Sequence, residues 1–267
     1  MGLSRNMIKL IRSLKEKKFR DEFQLFVAEG DKLVSELLKN SCCYLLAALP
    51  EWLDAHPDIL AEEVIVASET ELNRVTFMKT PPPVIALFHQ PNHGAEQLDL
   101  KGGISLALDG VQDPGNVGTI VRIADWFGIE QVICSGDTAD IYNPKTVQAT
   151  MGAIARVKVI YTNIARFLQE QEQLPIYGTF LDGHNIYEEV FPYTGIVVLG
   201  SEGRGISHEV EKRVSRRLYI PNFPPGRATS ESLNVATAAA IICSEFRRQQ
   251  VQCGQAQCRQ AQCRQVR

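Results

Sequence analysis

The sequence lacks the features that mark membrane-spanning and exported proteins. No apolar run in its 267 residues approaches the roughly 18 to 20 residues that a membrane-spanning helix requires. The N-terminal segment mixes apolar with basic residues and has no uninterrupted apolar core of a signal peptide. The seven cysteines are an odd number, and none lies at the CxxC spacing of a zinc site. We therefore expect a cytoplasmic protein without a disulfide framework or a bound metal.

Two common nucleotide-binding signatures are also missing. The chain has no Gly-Lys-Ser/Thr sequence of a P-loop, and the three glycines of its segment 200–205 are spaced unlike the dinucleotide-binding pattern GxGxxG. A nucleoside triphosphate is therefore not expected as a ligand. A nucleotide-dependent oxidoreductase is disfavoured because the GxGxxG pattern is absent, and this function would need to be reconsidered only if the protein bound NAD.

The chain has little net charge, but that charge is unevenly distributed. Its formal charge of −3 argues against a protein that binds polyanions with its whole surface. Residues 1–20 nevertheless contain seven basic side chains and the single acid Glu16, which is a local charge of 7 − 1 = +6. Apolar residues recur at mostly helical spacing over 7–18, so the charges indicate either a solvated helix face or one that contacts phosphates. The basic residues are Arg5, Lys9, Arg12, Lys15, Lys17, Lys18 and Arg20.

The first third of the chain alternates strand-like and helix-like segments, which predicts a small α/β domain over 1–90. A capping box is predicted at Ser68 to Glu71, where a helix begins. The polar segment 91–103, broken by Pro and Gly, is the predicted linker. Predicted strands are 23–28, 44–49, 64–67 and 84–88, and predicted helices are 31–39, a short one around Trp52, and one from Ser68.

A second α/β alternation fills 104–248, and it predicts a sheet whose strand ends could hold a ligand. A helix after the loop 109–116 carries an apolar face and, off that face, Arg122. The Gln-rich tail 249–267 has few large apolar side chains, which predicts disorder. Predicted strands are 104–108, 131–134, 157–161, 176–181, 196–199 and 218–220, and further helices are predicted within 142–153, at 164–171 and from Ser232 to about Arg248.

Three short segments carry the most specific signal. Taken singly, each has an ordinary explanation as a helix cap, a turn or a surface charge. In this order, however, they resemble the three signature motifs of the SpoU-type (TrmH-like) RNA ribose 2′-O-methyltransferases of the SPOUT class. The segments are Asn116-x-Gly118-x-x-x-Arg122-x-Ala124-x-x-x-Gly128, then Leu199-Gly200-x-Glu202-Gly203-x-Gly205, then Ile220-Pro221 followed by Ser232-Leu233-Asn234-Val235.

The resemblance implies a fold and a cofactor. It covers about 104–248 and implies an α/β domain whose C-terminal chain forms a trefoil knot, an exception to the usual absence of knots. The domain before it is similar to the L30e-like substrate-binding domain of members that modify ribosomal RNA. Such proteins are usually homodimers through the knot, and the site is completed at that interface. S-adenosylmethionine would lie among the knot loops at Leu181, Gly200, Ile220, Pro221 and Leu233.

The resemblance also assigns catalytic residues. Arg122 is the implied catalytic residue, although a guanidinium stays protonated and is no ordinary general base. It would either hold a substrate phosphate that helps to draw off the proton, or stabilise the developing alkoxide. Because the implied substrate is RNA, the basic residues of 1–20 become stronger candidates for phosphate contacts. The residues implied to orient the arginine, the ribose and the cofactor are Asn116, Glu202, Ser232 and Asn234.

The third motif departs from the family pattern. The usual Met after Ile-Pro is Asn222, the link 223–231 is longer, and the final Ser is Ala236. These changes should affect the cofactor contact near Asn222. The sequence therefore favours methyl transfer to a ribose 2′-hydroxyl of ribosomal RNA. Transfer RNA as the substrate, and a non-catalytic RNA-binding or ribosome-assembly protein of the same fold, remain alternatives.

Overall fold

The computed structural model describes residues 2–91, 98, 100, 102–224, 227 and 232–265, with side chains described to Gln252 in the last helix. The chain divides into two compact units. The first unit comprises Met1–His93, Asp113–Arg122 and Ala139–Lys158, and the second comprises Gly94–Gln112, Ile123–Thr138 and Val159–Arg267. Most of the predicted linker lies outside the described residues, and the predicted domain boundaries stay predictions.

The first unit contains a four-stranded sheet of order β1-β4-β2-β3. Strand β4 is antiparallel to both β1 and β2, whereas β2 and β3 are parallel. The predicted strands of this part, and the helices predicted after residue 30, are all present with ends shifted by a few residues. The elements of this part are α1 Arg5–Ser13, α2 Lys17–Phe23, β1 Leu25–Glu29, α3 Asp31–Leu38, β2 Cys43–Ala48, α4 Pro50–Ala55, β3 Ala61–Val66, α5 Glu69–Val75 and β4 Val84–His89.

The helix predicted over 7–18 is in fact two helices. α1 ends at Ser13 and α2 begins at Lys17, and in the turn between them the carbonyls of Leu14 and Lys15 accept hydrogen bonds from the Arg20 guanidinium at 2.8 and 2.7 Å. The predicted capping box at the start of α5 is confirmed.

The second unit contains a six-stranded sheet of order β10-β8-β9-β5-β6-β7. The pairs from β10 through β6 are parallel, so the predicted α/β class is confirmed. The strands β9 and β5 are buried along most of their length, as expected for a parallel sheet covered on both faces. The remaining elements of the whole chain, of which α7 and most of α6 belong to the first unit, are β5 Ile104–Asp109, α6 Pro114–Trp126, β6 Gln131–Cys134, α7 Pro144–Thr150, β7 Lys158–Tyr161, α8 Ile164–Gln169, β8 Ile176–Asn185, β9 Gly195–Gly200, α9 His208–Glu211, β10 Arg216–Tyr219 and α10 Val235–Gln265.

Two elements run further than the sequence predicted. β8 continues to Asn185 rather than ending near Leu181. α10 continues to Gln265, through the segment that was predicted to be disordered. Gln, Ala and Arg all have good helix propensity, and no proline interrupts 249–265, so the local sequence permits the longer helix. Among the described helices, none is long and apolar enough to cross a membrane.

Candidate functional site

A cavity of about 820 Å³ lies in the second unit, beside residues 179–181 of β8 and at the ends of β9 and β10. This volume is within the usual range for small-molecule sites. Its lining includes two apolar side chains that are exposed, Leu181 at 69% and Leu233 at 47%. Exposed apolar groups that face a cavity are typical of a ligand surface. The five residues predicted to hold a cofactor all line it: Leu181, Gly200, Ile220, Pro221 and Leu233.

One edge of this cavity is a loop that turns back tightly on β9. Ser201 and Gly205 form a backbone bridge, with N–H groups donating in both directions at 3.1 and 2.8 Å. A Cβ on Gly200 would lie 2.3 Å from the carbonyl carbon of Gly205, and Gly205 itself has φ +68°. Only glycine is compatible with this approach of two backbone segments. The loop therefore holds residues 201–205 in a tight turn at the cavity edge.

A second edge is an irregular part of β8. The pairing with β10 jumps from Arg217↔Gly178 to Leu218↔His184, so residues 179–183 are inserted opposite a single step of β10. This insertion carries Leu181 and Phe180 to the cavity lining. The irregular pairing also explains why β8 exceeds its predicted end.

The inserted segment is held in place by one arginine. The guanidinium of Arg217 lies 3.6 Å from the ring centroid of Phe180, a cation–π contact. The same guanidinium pairs with the carboxylates of Asp182 and, at 2.5 Å, Glu211. These two hydrogen bonds raise the pKa of Arg217, the contact to Asp182 contributing most. Arg217 was not identified from the sequence, where it is one of several arginines without a distinguishing pattern.

The structure brings together two of the predicted catalytic residues in the second unit. Asn234 Nδ2 donates to Glu202 Oε1 at 2.8 Å. Its Oδ1 accepts from the N–H groups of Ala236 at 3.0 Å and Thr237 at 3.2 Å, so it also caps α10. Both ends of the amide are thereby fixed. Glu202 and the third predicted residue, Ser232, line the cavity as well.

The atypical Asn222 is bound within its own loop. Its N–H donates to the Tyr219 hydroxyl at 3.4 Å, that hydroxyl donates to Asn222 Oδ1 at 3.2 Å, and Nδ2 donates to the Arg227 carbonyl at 3.0 Å. Asn222 lines the cavity. Its side chain therefore organises the turn after Pro221 at a position where the sequence predicted an altered contact. Residues 225–226 and 228–231 of the long link lie outside the described residues.

The other two predicted catalytic residues lie on α6, in the first unit. α6 begins at Pro114, so Asn116 is in its first turn rather than at the N-cap. Asp113 takes the capping role, because its Oδ1 accepts from the Asn116 N–H at 2.9 Å. A hydrogen bond from Lys145, then that from Asn116, lowers the pKa of Asp113. The Asp113-Pro114 pair is a recognisable helix-start signal that the sequence interpretation missed.

Arg122 lies two turns into α6 and is exposed. Four residues earlier, a Cβ on Gly118 would be 2.5 Å from the carbonyl oxygen of Thr146 and 2.6 Å from the Cβ of Ala149. Gly118 is therefore required by close packing of α6 against α7. The sequence had presented Gly118 only as part of a motif.

Six of the seven basic residues predicted to contact RNA are exposed on α1, α2 and the turn between them. The seventh prediction, Arg20, is wrong. Arg20 is only 2% exposed and binds Asp140 and two carbonyls inside the first unit. A side chain whose donors are used in this way is not available to phosphates.

Family models match most of the chain. The SpoU rRNA Methylase family matches residues 103–244. The MRM3-like substrate binding domain matches residues 5–86.

Individual relatives agree with these matches. The chain is 32% identical to the 23S rRNA (guanosine(2553)-2′-O)-methyltransferase of Bacillus subtilis over 240 residues, which is 88% of this chain and 94% of that protein. A TrmH-family structure from Porphyromonas gingivalis is 45% identical, with a TM-score of 0.83 over 93% of this chain and 99% of the other. An AdoMet-bound rRNA methyltransferase from Sinorhizobium meliloti is 29% identical, with a TM-score of 0.80 over 93% and 96%. The chain belongs to the SpoU rRNA methylase family.

Proposed function

We propose that the protein transfers a methyl group from S-adenosylmethionine to a ribose 2′-hydroxyl of ribosomal RNA. The observation that carries the proposal is the cavity beside β8 and at the ends of β9 and β10, lined by both later motifs of the family. The match to a substrate-binding domain at 5–86 and the Bacillus subtilis relative support ribosomal over transfer RNA.

The residues of this cavity suit S-adenosylmethionine. The tight turn at Gly200 leaves backbone groups for a polar edge, and Ile220 and Leu233 offer apolar surfaces for a flat ring. When bound, S-adenosylmethionine supplies an electrophilic methyl group on a sulfonium. The hydrogen-bonded pair of Glu202 and Asn234 stands at the same cavity as a rigid polar group for orienting substrate.

A ribose 2′-hydroxyl is a weak nucleophile, so the chain must align it and manage its proton. In the proposal Arg122 binds the substrate through its permanently charged guanidinium. It either holds a phosphate that helps to accept the proton or stabilises the alkoxide as it forms. Exposure of Arg122 on α6 is compatible with both roles.

Replacing Arg122 tests the assigned chemistry. We expect Arg122→Ala to lower the rate of methyl transfer to RNA by about 10²–10³, the usual cost of losing one charge-stabilising donor. Affinity for S-adenosylmethionine, measured by calorimetry, should stay within about threefold of the wild type. Arg74→Ala, which removes an exposed arginine from α5, is the matched control. Methyl transfer within a few-fold of wild type in Arg122→Ala would refute the assignment.

Calorimetry also separates the enzyme from a non-catalytic RNA-binding protein of the same fold. The enzyme requires S-adenosylmethionine binding by the wild-type chain, and absence of binding would favour the binding protein. Mapping ribose methylation on ribosomal and transfer RNA, in cells with and without the gene, distinguishes the two RNA classes.

The proposal includes a homodimer through a knotted C-terminal domain, with each site completed by both subunits. A purified heterodimer of one Arg122→Ala subunit and one Glu202→Gln subunit tests the sharing. If each site combines Arg122 of one subunit with Glu202 of the other, one site stays intact and about half of the activity remains. If each subunit forms its site alone, both sites are damaged and the heterodimer is inactive.

A further inference from the structure

A second cavity, of about 570 Å³, lies wholly in the first unit and shares no lining residue with the first. Its floor is Val27 and Glu29 of β1, and one wall is Phe77 and Met78. Pro144 and Gln148 of α7 also line the cavity. Two lysines, Lys15 and Lys145, are exposed members of the lining and stand at its mouth.

A buried carboxylate fixes the wall made by Phe77 and Met78. Glu29, which is 4% exposed, accepts from the Phe77 N–H at 2.9 Å and from the Thr76 hydroxyl. The Thr76 hydroxyl oxygen in turn accepts from the Met78 N–H at 3.0 Å. These bonds fix the backbone that carries the Phe77 and Met78 side chains.

A buried arginine fixes the two sides of the mouth. Arg20 donates to the Lys15 carbonyl at 2.7 Å and to Asp140 Oδ2 at 2.6 Å. Asp140 Oδ1 accepts from the Tyr142 N–H at 3.0 Å, just before α7. The cavity is therefore built before any ligand arrives, and such preorganisation lowers the entropy cost of binding.

The chemistry of the lining matches one unstacked nucleotide. Phe77, Met78 and Pro144 present apolar surfaces on which the face of a nucleobase can pack, the mode by which proteins commonly hold single-stranded RNA. The ammonium groups of Lys15 and Lys145 at the mouth suit the attached phosphates. Lys145 Nζ also pairs with Asp113 Oδ2 at 3.0 Å, an exposed contact that a phosphate can replace or share. The volume is sufficient for one nucleotide.

We infer that this cavity is an RNA subsite that receives one unpaired nucleotide of the substrate, with its base against Phe77 and Pro144 and its phosphates on Lys15 and Lys145. Gly115 also lines the cavity, so the subsite lies at the beginning of the helix that carries Asn116 and Arg122. The inference rests on the proposed function for the identity of the ligand as RNA, and it adds a place where an RNA residue is held.

Filling the cavity provides the first test. We expect Gln148→Trp, in the full-length protein, to weaken binding of an unmodified 23S rRNA transcript at least about tenfold, because the indole occupies the space of the base. Affinity for S-adenosylmethionine should not change. Gln173→Trp adds the same side chain on an exposed turn and should bind RNA like the wild type. Wild-type RNA affinity in a folded Gln148→Trp protein would overturn the inference.

The rim lysines give a second readout. Lys15→Glu should reduce the magnitude of the slope of log affinity against log salt concentration by about 1, which is the contribution of one phosphate contact. Lys32→Glu, an exposed lysine on α3 outside the lining, is the control for charge alone. An equal change of slope in both variants would contradict a phosphate contact at Lys15.

Crosslinking of the wild-type protein keeps the inference testable even if Gln148→Trp does not fold. The same transcript, prepared separately with a photoreactive analogue of each of the four bases, such as 4-thiouridine for uridine, should crosslink to Phe77 or Met78 in at least one preparation. Crosslinks confined to residues outside the lining would overturn the inference. If RNA crosslinks at Phe77 but no methyl group is transferred, the proposed function is contradicted and the subsite is not. If methyl transfer occurs but no crosslink forms at the cavity, the subsite is contradicted and the proposed function is not.

Discussion

The buried guanidinium of Arg20 and the partly buried carboxylate of Asp140, 120 positions apart in the chain, form a pair with Nη2 and Nε of the arginine 2.6 and 3.1 Å from Oδ2. The remaining terminal nitrogen of Arg20 donates to the carbonyls of Leu14 and Lys15. This pair joins the turn between α1 and α2 to the segment that precedes α7. It therefore sets the spacing of the second cavity's mouth.

Removing the arginine should be costly for folding. We expect Arg20→Met to lower the free energy of unfolding by about 3–5 kcal/mol, because it leaves Asp140 and two carbonyls without their partner. Lys18→Met, at an exposed position on α2, should change it by less than about 0.5 kcal/mol. Urea denaturation of both variants measures the difference. A loss below about 1 kcal/mol for Arg20→Met would show that the pair is not a main support of this unit.

Arg20 also shows where sequence interpretation reaches its limit. The alternation of strands and helices could be predicted, because apolar periodicity is a local property of the sequence. The charge of Arg20 was read correctly, but its role depends on a partner 120 residues away. Without that contact, Arg20 cannot be distinguished from the exposed Lys17 and Lys18.

Some residues of the candidate site could also be predicted from the sequence, and others could not. Gly200 and Leu233 were identified because they lie in short sequence motifs, and Leu181 because the resemblance implies a cofactor loop there; all three line one cavity. The insertion in β8 was not predicted, since it arises from its register with β10. The second cavity has no sequence signature, because its walls come from β1, the segment after α5, and α7.

A pair of glycines in one loop tests the tight turn at the first cavity. Gly200→Ala should lower affinity for S-adenosylmethionine at least about tenfold, because its Cβ would lie 2.3 Å from the backbone of Gly205 and force the loop outward. Gly203→Ala is the matched control, since no atom lies within 4 Å of its added Cβ. Calorimetry on both variants decides the point, and equal affinities would contradict a role for the turn.

The two functions of Asn234 can be separated by two substitutions. Asn234→Ala should lose about 1 kcal/mol of stability, because α10 loses its cap, and should also lose activity. Asn234→Asp keeps an oxygen for the cap but places a carboxylate against Glu202. We therefore expect near-wild-type stability and reduced methyl transfer. Thermal unfolding and a methyl-transfer assay measure both properties, and full activity in Asn234→Asp would exclude a role for the Glu202–Asn234 bond.

Arg217 should act on the cofactor cavity through Phe180 and Asp182. Arg217→Gln removes the charge that holds both groups, so we expect the KM for S-adenosylmethionine to rise about tenfold with a smaller change in kcat. Arg217→Lys keeps the charge but lacks the planar guanidinium, so its KM should lie between those of the wild type and Arg217→Gln. Arg166→Gln, which removes an exposed arginine paired with Glu170, is the control. An unchanged KM in Arg217→Gln would show that the inserted segment is held by other contacts.

The last prediction concerns Glu29, whose burial raises its pKa from the ordinary value of 4.5, opposed by hydrogen bonds from Thr76 and the backbone of Phe77. Because the folded pKa is above the unfolded value, the folded state binds more protons between the two, and this contribution to stability is lost as pH rises through that interval. Glu29→Gln cannot titrate and lacks this loss.

We therefore expect wild-type stability, relative to Glu29→Gln, to be highest below pH 4.5 and to fall as the pH rises above it. Taking the difference between the two proteins removes the contribution of other carboxylates, such as Glu36 and Glu71, whose pKa values are lowered by hydrogen bonds. Urea denaturation from about pH 4 to about pH 8 measures the difference. A difference that is constant, or that grows in favour of the wild type with rising pH, would contradict a buried carboxylate whose charge is disfavoured at the floor of the second cavity.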